Sequence, residues 1–390
     1  MSRPRERAAT ASAGPLEVPV RIGIDARNDR TGIGRYTYSL IRELATIDRE
    51  NEYILFQRRQ RHETYDPPGP NFRSVEAEIP WFTLREQLSM PRLLARERLD
   101  LVHYPHLTVP LTSTTPFVVT IHDLNYLDRE ATLRTGRRGA FRHVVLRTGY
   151  RLELAKVRRA RQIIAVSEHT RGEVAQVLRV DSSRITVTHE AADPPGVVEP
   201  DPAVLRRLGL DRPFFLNVGA AYPYKNLSRL IEAFARVNGD YGLVLAGDHE
   251  DFGASLEQQV GMLGLGKSVA FLGRVTDAEL SALYGAALAY AFVSRREGFG
   301  LPGLEAMAAG LPVVAARAGS LPEIYGEAAR YCDPLDLDSI AAALTEIATD
   351  EELRTRLVAL GRRRAAGFSW TRTAEQTLDV YLSALSAEGV

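Results

Sequence analysis

Glu297 and Glu305 lie eight positions apart and enclose Gly298, Gly300 and Gly303. An apolar run ends at Ser294, a glycine-rich turn follows, and Pro302 suits the first turn of a helix. Glycines omit side chains where backbone amides could approach a ligand closely. Free amides at a helix N-terminus, with its partial positive charge, make an anion site, and two phosphates would fit there. Carboxylates accept hydrogen bonds from vicinal hydroxyls, so one glutamate could hold a sugar and the other a ribose. For either glutamate alone, a solvated side chain on a plain strand-turn-helix is the simpler account. Three glycines and two carboxylates fixed within nine residues argue against it for the set.

The elements that must position this segment follow from an alternation of short apolar runs with helical patterns, the signature of parallel sheets with crossover helices. In the first half, strands are expected at 20–25, 52–57, 101–104, 117–122, 162–167 and 185–189. The pattern lapses around 193–202 into Asp-Pro-Pro-Gly and Glu-Pro-Asp-Pro, a linker by composition. It resumes with strands expected at 214–218, 243–246, 269–272, 287–293 and 312–315. With 390 residues the chain exceeds the usual size of one hydrophobic core, so two α/β domains are expected. Two such domains would face a cleft at the carboxyl ends of their strands, where open α/β sheets bind ligands.

Composition narrows the function. Forty-nine basic residues balance forty-nine acidic ones, which gives no general electrostatic case for nucleic acid as a partner. The single cysteine, Cys332, suits a reducing compartment, and its alternating surroundings Ala-Arg-Tyr-Cys-Asp read as a strand holding a buried structural thiol. No apolar run approaches the roughly 18 residues that cross a bilayer. Residues 1–19 read as a disordered extension, Arg-, Ala- and Ser-rich at the start, and not as a signal peptide. The expected location is cytoplasmic. No cluster of metal-ligating residue types stands out, which suits a metal-free site.

Glu297, seven residues, then Glu305 resembles the paired-glutamate motif of retaining glycosyltransferases with the GT-B fold, in family four. Other segments agree. Gly32-Ile-Gly34-Arg-Tyr resembles the first glycine loop of that family, and Thr120-Ile-His122-Asp123 its histidine strand. Val218-Gly219 with Pro223-Tyr-Lys225-Asn226-Leu227 resembles its phosphate-lysine loop. Phe271-Leu-Gly273-Arg274 resembles the strand end near the base, and Phe368-Ser-Trp370 the start of its closing helix. The subgroup resembled is rich in bacterial mannosyl- and rhamnosyltransferases of surface polysaccharides.

The resemblance implies two Rossmann-like domains. The acceptor domain would span 20–197, with a C-terminal helix, 367–390, crossing back to it, and the donor domain would span 198–366. Glu297 would contact the donor sugar and Glu305 the ribose, while Lys225 and the backbone of Phe299, Gly300 and Leu301 would hold the diphosphate. His122 would lie beside the reacting sugar, and its neighbour Asp123 could orient the ring. Transfer would retain the anomeric configuration by front-face attack, the leaving phosphate accepting the acceptor proton. No cofactor is implied beyond the nucleotide-diphosphate sugar as co-substrate, with a glycan or lipid-linked acceptor as the other partner.

One departure stands out. Family members commonly carry an arginine just after the glycine or next to the lysine, where this chain has Ala220 and Tyr224. Arg295 and Arg296 instead precede Glu297, and Arg296 is expected to supply the missing phosphate contact. A basic stretch at 133–161 reads as amphipathic helix, either a solvated face or a patch that docks on anionic membrane. Trp81, Phe82 and Arg85 could line an acceptor site or anchor a loop. Three rival functions are a nucleotide-sugar epimerase on the same fold, a non-catalytic donor- or glycan-binding subunit, and a nicotinamide dehydrogenase. The last needs a third glycine after Gly32-x-Gly34, and position 37 is Thr37.

Overall fold

The computed structural model describes residues 19–28, 32–58, 67–81, 83–125, 149, 151–192, 201–248 and 252–386. Residues 1–18 of the expected extension, Phe82, the linker residues 193–200 and most of the basic stretch 133–161 lie outside them.

The first sheet is built from β1 (Arg21–Asp25), β2 (Glu52–Gln57), β3 (Phe72–Glu76), β4 (Leu101–Tyr104), β5 (Phe117–Ile121), β6 (Gln162–Ala165) and β7 (Ile185–Val187). Helices α1 (Gly32–Ile47), α2 (Leu84–Glu97) and α3 (Glu168–Leu178) connect several of them. After α4 (Pro202–Arg207) comes the second sheet: β8 (Phe214–Val218), β9 (Gly242–Ala246), β10 (Val269–Gly273), β11 (Ala289–Phe292), β12 (Val313–Ala316) and β13 (Ala329–Cys332). Its connections are α5 (Leu227–Phe234), α6 (Gly253–Met262), α7 (Asp277–Ala286), α8 (Leu301–Ala308) and α9 (Leu321–Tyr325). Three helices close the chain: α10 (Leu337–Thr349), α11 (Glu351–Ala365) and α12 (Trp370–Ser386).

Strand order is β3-β2-β1-β4-β5-β6-β7 in one sheet and β10-β9-β8-β11-β12-β13 in the other, both doubly wound. Pairing is parallel from β3 to β5 and throughout the second sheet. Parallel strands covered on both faces read as continuous apolar runs, which is why β5, β9 and β11 are buried along their length. Successive residues of the second sheet serve opposite cores. Leu216, Val244, Phe292 and Ala315 pack into one cluster, while Phe215, Leu243, Ala291 and Val314 pack into the other.

Each expected strand is present, and β3 is an addition that the sequence reading missed. Its residues Phe-Arg-Ser-Val-Glu are largely exposed at the sheet edge, so little apolar signal marks them. Strands β5, β6 and β7 stop short of the expected ends at 122, 167 and 189 because the last residues leave the ladder. Ser167, for example, becomes the N-cap of α3, accepting from the Thr170 amide.

The chain divides into two compact units. One comprises Met1–Thr120, Lys156–Ile164 and Thr371–Val390, and the other Ile121–Ala155 and Ala165–Trp370. In the first, α12 returns to the amino-terminal half, where the Tyr381 hydroxyl meets Nδ1 of the buried His103 at 2.6 Å. Trp81 in that unit stacks on His106 with ring centroids 5.9 Å apart. The groups that follow β5 and β6, including His122 and α3, belong to the second unit.

Candidate active site

In the second unit, the turn between β11 and α8 is fixed by the protein around its three glycines. A Cβ on Gly298 would lie 1.6 Å from the His122 carbonyl oxygen. The Gly298 carbonyl accepts from the Ser167 hydroxyl at 2.6 Å and the Thr170 hydroxyl at 3.1 Å. Gly300 caps α8 with φ 99°, and a Cβ there or on Gly303 would strike the Tyr325 side chain. Tyr325 in turn donates to the Gly300 carbonyl at 2.6 Å. At all three positions the missing side chain makes room for neighbouring protein atoms. The amides of Phe299, Gly300 and Leu301 are a separate matter. Among the described residues none donates to a protein acceptor, and they lie at the positive end of α8.

Glu297 and Lys225 meet directly. Lys225 Nζ lies 2.6 Å from Glu297 Oε1, and the two side chains are 13% and 12% exposed. Lys225 closes a short 3₁₀ turn, Pro223–Lys225, after β8, and its ammonium sits 5.4 Å from the Tyr224 ring centroid and 5.2 Å from that of Phe292. Asn226 holds the turn with φ 63° by donating to the carbonyls of Val293 and Pro334. The Arg295 amide donates to the Tyr224 carbonyl at 2.8 Å, tying the lysine loop to the segment before Glu297. Glu305 is buried in α8, where Tyr284 donates to its carboxylate at 3.3 Å.

His122 faces Glu190, not Asp123. Its Nδ1 lies 2.8 Å from Glu190 Oε1, a carboxylate buried to 6% exposure beyond the end of β7. The expectation that Asp123 orients the ring is therefore corrected. Asp123 Oδ1 accepts the Asn125 amide at 2.9 Å instead. Burial drives the Asp123 carboxyl above the ordinary aspartate range, and the nearby negative charge of Glu297 adds to this.

The remaining expected residues are spread more widely. Arg274 is exposed after β10 and pairs with Asp248 at 2.9 Å. Arg296 pairs with Glu173 of α3 at 2.5 Å. Gly32 and Gly34 lie in the first turn of α1 in the other unit, with Gly34 buried. Glu190, Glu173, Ser167, Thr170 and Tyr325 escaped the sequence reading. A His-Glu pair straddling the end of an expected strand, His189-Glu190, was the one signal that could have found Glu190.

Two family models cover most of the chain. The one described as Glycosyltransferase Family 4 matches residues 30–194, and Glycosyl transferases group 1 matches residues 206–364. The O-antigen chain mannosyltransferase B of Escherichia coli is 30% identical over 375 residues, covering 90% of this chain and 96% of that protein. The chain belongs to this glycosyltransferase family. Two solved structures place the fold among GT-B glycosyltransferases. Sucrose-phosphate synthase from Thermosynechococcus elongatus superposes with a TM-score of 0.75 at 21% identity, over 95% of this chain and all (100%) of that one. HepE of Anabaena, in complex with UDP and glucose, gives 0.70 at 20% identity, over 93% of this chain and 99% of that one. The glycosyltransferase thus carries the two parallel-sheet α/β architecture expected from the sequence.

Proposed function

We propose that this glycosyltransferase moves a hexosyl or deoxyhexosyl group, mannose-like in shape, from a nucleotide-diphosphate sugar to a hydroxyl of a glycan or lipid-linked acceptor in surface polysaccharide synthesis. Retention of anomeric configuration and independence from metal complete the proposal. The observation that carries it is the Lys225–Glu297 contact of 2.6 Å, beside the unengaged amides of Phe299, Gly300 and Leu301. A cation and a row of amides suit a diphosphate, and a carboxylate next to them suits the hydroxyls of the attached sugar.

In this reading charge develops on the leaving diphosphate, and Lys225 with the α8 amides stabilises it electrostatically. Glu297 orients the sugar, buried Glu305 takes the ribose hydroxyls, Arg274 lies toward the base, and His122 stands beside the reacting carbon. The acceptor hydroxyl attacks on the face that the diphosphate leaves, and its proton passes to the departing phosphate oxygen. The mannosyltransferase name of the E. coli relative supports the sugar class, and the UDP in the HepE complex supports a nucleotide-diphosphate donor. The mannosyltransferase relative favours transfer over the epimerase reading.

A thermal-shift panel of nucleotide sugars identifies the donor, since a ligand of the native state raises the midpoint. Incubating that donor with acceptor then gives free nucleotide and a transferred sugar of unchanged anomeric configuration, in excess chelator. An isomerised donor, an inverted linkage, or strict dependence on manganese or magnesium would overturn the corresponding part of the proposal. Salt-sensitive sedimentation with acidic vesicles, lost on replacing Arg134, Arg137 and Arg138 by serine, tests whether residues 133–161 dock on membrane. Absence of binding at low salt leaves the solvated face.

A further inference from the structure

We infer that Glu190 is the positioning residue for His122: through Nδ1 it fixes the tautomer and the plane of the imidazole that faces the donor sugar. The inference deepens the role proposed for His122 and rests on that reading.

Three observations carry it. The first is the contact itself, 2.8 Å between His122 Nδ1 and Glu190 Oε1, with both side chains largely shielded from water. An ionised carboxylate accepts only, so Nδ1 carries the hydrogen, and in the neutral ring Nε2 is then the acceptor.

The second is that Glu190 is anchored by its neighbour. His189 Nε2 lies 3.1 Å from Glu323 Oε1, and Glu323 also takes the amides of Glu168 and His169 at the start of α3. The His189 ring packs edge-on to Phe368, with centroids 5.7 Å apart, and against Phe299 at 6.3 Å. Residues 189 and 190 are thus held on one side by a helix cap and two aromatic rings and on the other by His122.

The third is the backbone of His122. Its carbonyl abuts Gly298, so the histidine main chain cannot shift toward the Glu297 turn. Against that blocked backbone, Glu190 restrains rotation of the ring through Nδ1. The sequence neighbour Asp123 instead accepts the Asn125 amide on Oδ1, and the carboxylate at Nδ1 is that of Glu190.

The test uses the full chain with Glu190→Ala, Glu190→Gln and His122→Ala. In histidine-labelled protein at mildly alkaline pH, nitrogen chemical shifts report the tautomer, the His122→Ala spectrum supplying the assignment. Wild type is expected to show hydrogen on Nδ1. Glu190→Gln retains it, because the amide oxygen still accepts, whereas Glu190→Ala populates the other tautomer. Transfer by Glu190→Ala should fall in kcat by about 10- to 100-fold, with Glu190→Gln rescuing most of it. Affinity for GDP and UDP, titrated as probes, should be unchanged in all three. An unaltered tautomer in Glu190→Ala overturns the inference, as does wild-type kcat in that variant or a parallel loss of nucleotide affinity. Normal turnover by His122→Ala would sink the role proposed for His122, while the tautomer measurement would still judge Glu190 by itself.

Discussion

Gly298 and His122 touch through their backbones. A methyl group on Gly298 would stand 1.6 Å from the His122 carbonyl oxygen and 2.7 Å from its carbonyl carbon. Neither atom belongs to a flexible side chain, so the turn bearing Glu297 must move if the site is filled. Gly298→Ala should therefore cost about 1–3 kcal/mol of stability through overpacking. Transfer should fall further than stability does, because the glutamate and the histidine are displaced together. Ser167→Ala, which removes one hydroxyl from the Gly298 carbonyl, should be milder, at about 1 kcal/mol. Comparison of melting points and turnover for the two variants checks this, and normal turnover in Gly298→Ala would refute it.

The ion pair of Lys225 and Glu297 implies an exchange of partners when the donor enters. Its diphosphate would take the lysine and its sugar the glutamate. Glu297→Gln should abolish transfer while nucleoside diphosphate still binds. Lys225→Ala should weaken that binding by about 10- to 100-fold, the worth of one charge-assisted contact. Glu305→Ala should weaken binding of the nucleoside diphosphate, and less so that of inorganic diphosphate, which lacks the ribose. Calorimetric titration separates the three. Normal turnover by both glutamate variants would show that the site lies elsewhere.

Much of this site was legible in the sequence because it is local. Glu297, the glycines, Pro302 and Glu305 sit on one strand-turn-helix, and the period change from strand to helix marks where they fall. Lys225 was brought in by the resemblance of its loop to the family's phosphate-lysine loop. Glu190 was not legible, because its pairing with His122 spans 68 positions and depends on two chain segments leaving their strands together. Adjacency pointed to Asp123, but neighbouring residues at a strand end project to opposite sides. The glycines were legible, but not every neighbour they accommodate. Their spacing identifies a close approach, and only the fold reveals that His122 and Tyr325 are what approach. Strand β3 was missed for a different reason, since an exposed edge strand has no apolar alternation to read.

Glu323 ties acid stability to the start of α3. Burial alone would raise its carboxyl, but hydrogen bonds from His189 and from the amides of Glu168 and His169 outweigh this and hold it below its ordinary value of 4.5. A carboxyl depressed in the folded state contributes stability above its unfolded value, and that contribution is lost as pH falls through the folded value. Denaturant midpoints should therefore drop below about pH 4.5 in wild type, and the drop should be smaller in Glu323→Gln. Identical acid profiles for the two proteins would contradict this.

Cys332 offers a probe of the second unit. The thiol is buried in β13 and burial pushes it up to about 12, so the thiolate needed for reaction is scarce at neutral pH. A disulfide reagent should leave the native protein unlabelled and modify one thiol per chain once denaturant unfolds it. Rapid labelling of the native protein would show that β13 opens locally.

Arg296 poses the sharpest question about the donor. The family's usual arginine beside the lysine is missing at Ala220 and Tyr224, and a donor diphosphate brings about two negative charges. Arg296 was expected to compensate, yet its guanidinium is committed to Glu173 of α3. Phosphate and Glu173 then compete for one cation, or share it. Sharing predicts that Arg296→Ala weakens nucleoside diphosphate binding by about 10- to 100-fold, a contact of roughly 1.5–3 kcal/mol. Glu173→Gln should act in the opposite sense and tighten binding, because the competing carboxylate loses its charge. Arg295→Ala serves as the control on the neighbouring cation. If Arg296→Ala and Arg295→Ala both bind as wild type does, neither arginine reaches the phosphates, and Lys225 with the α8 amides must suffice.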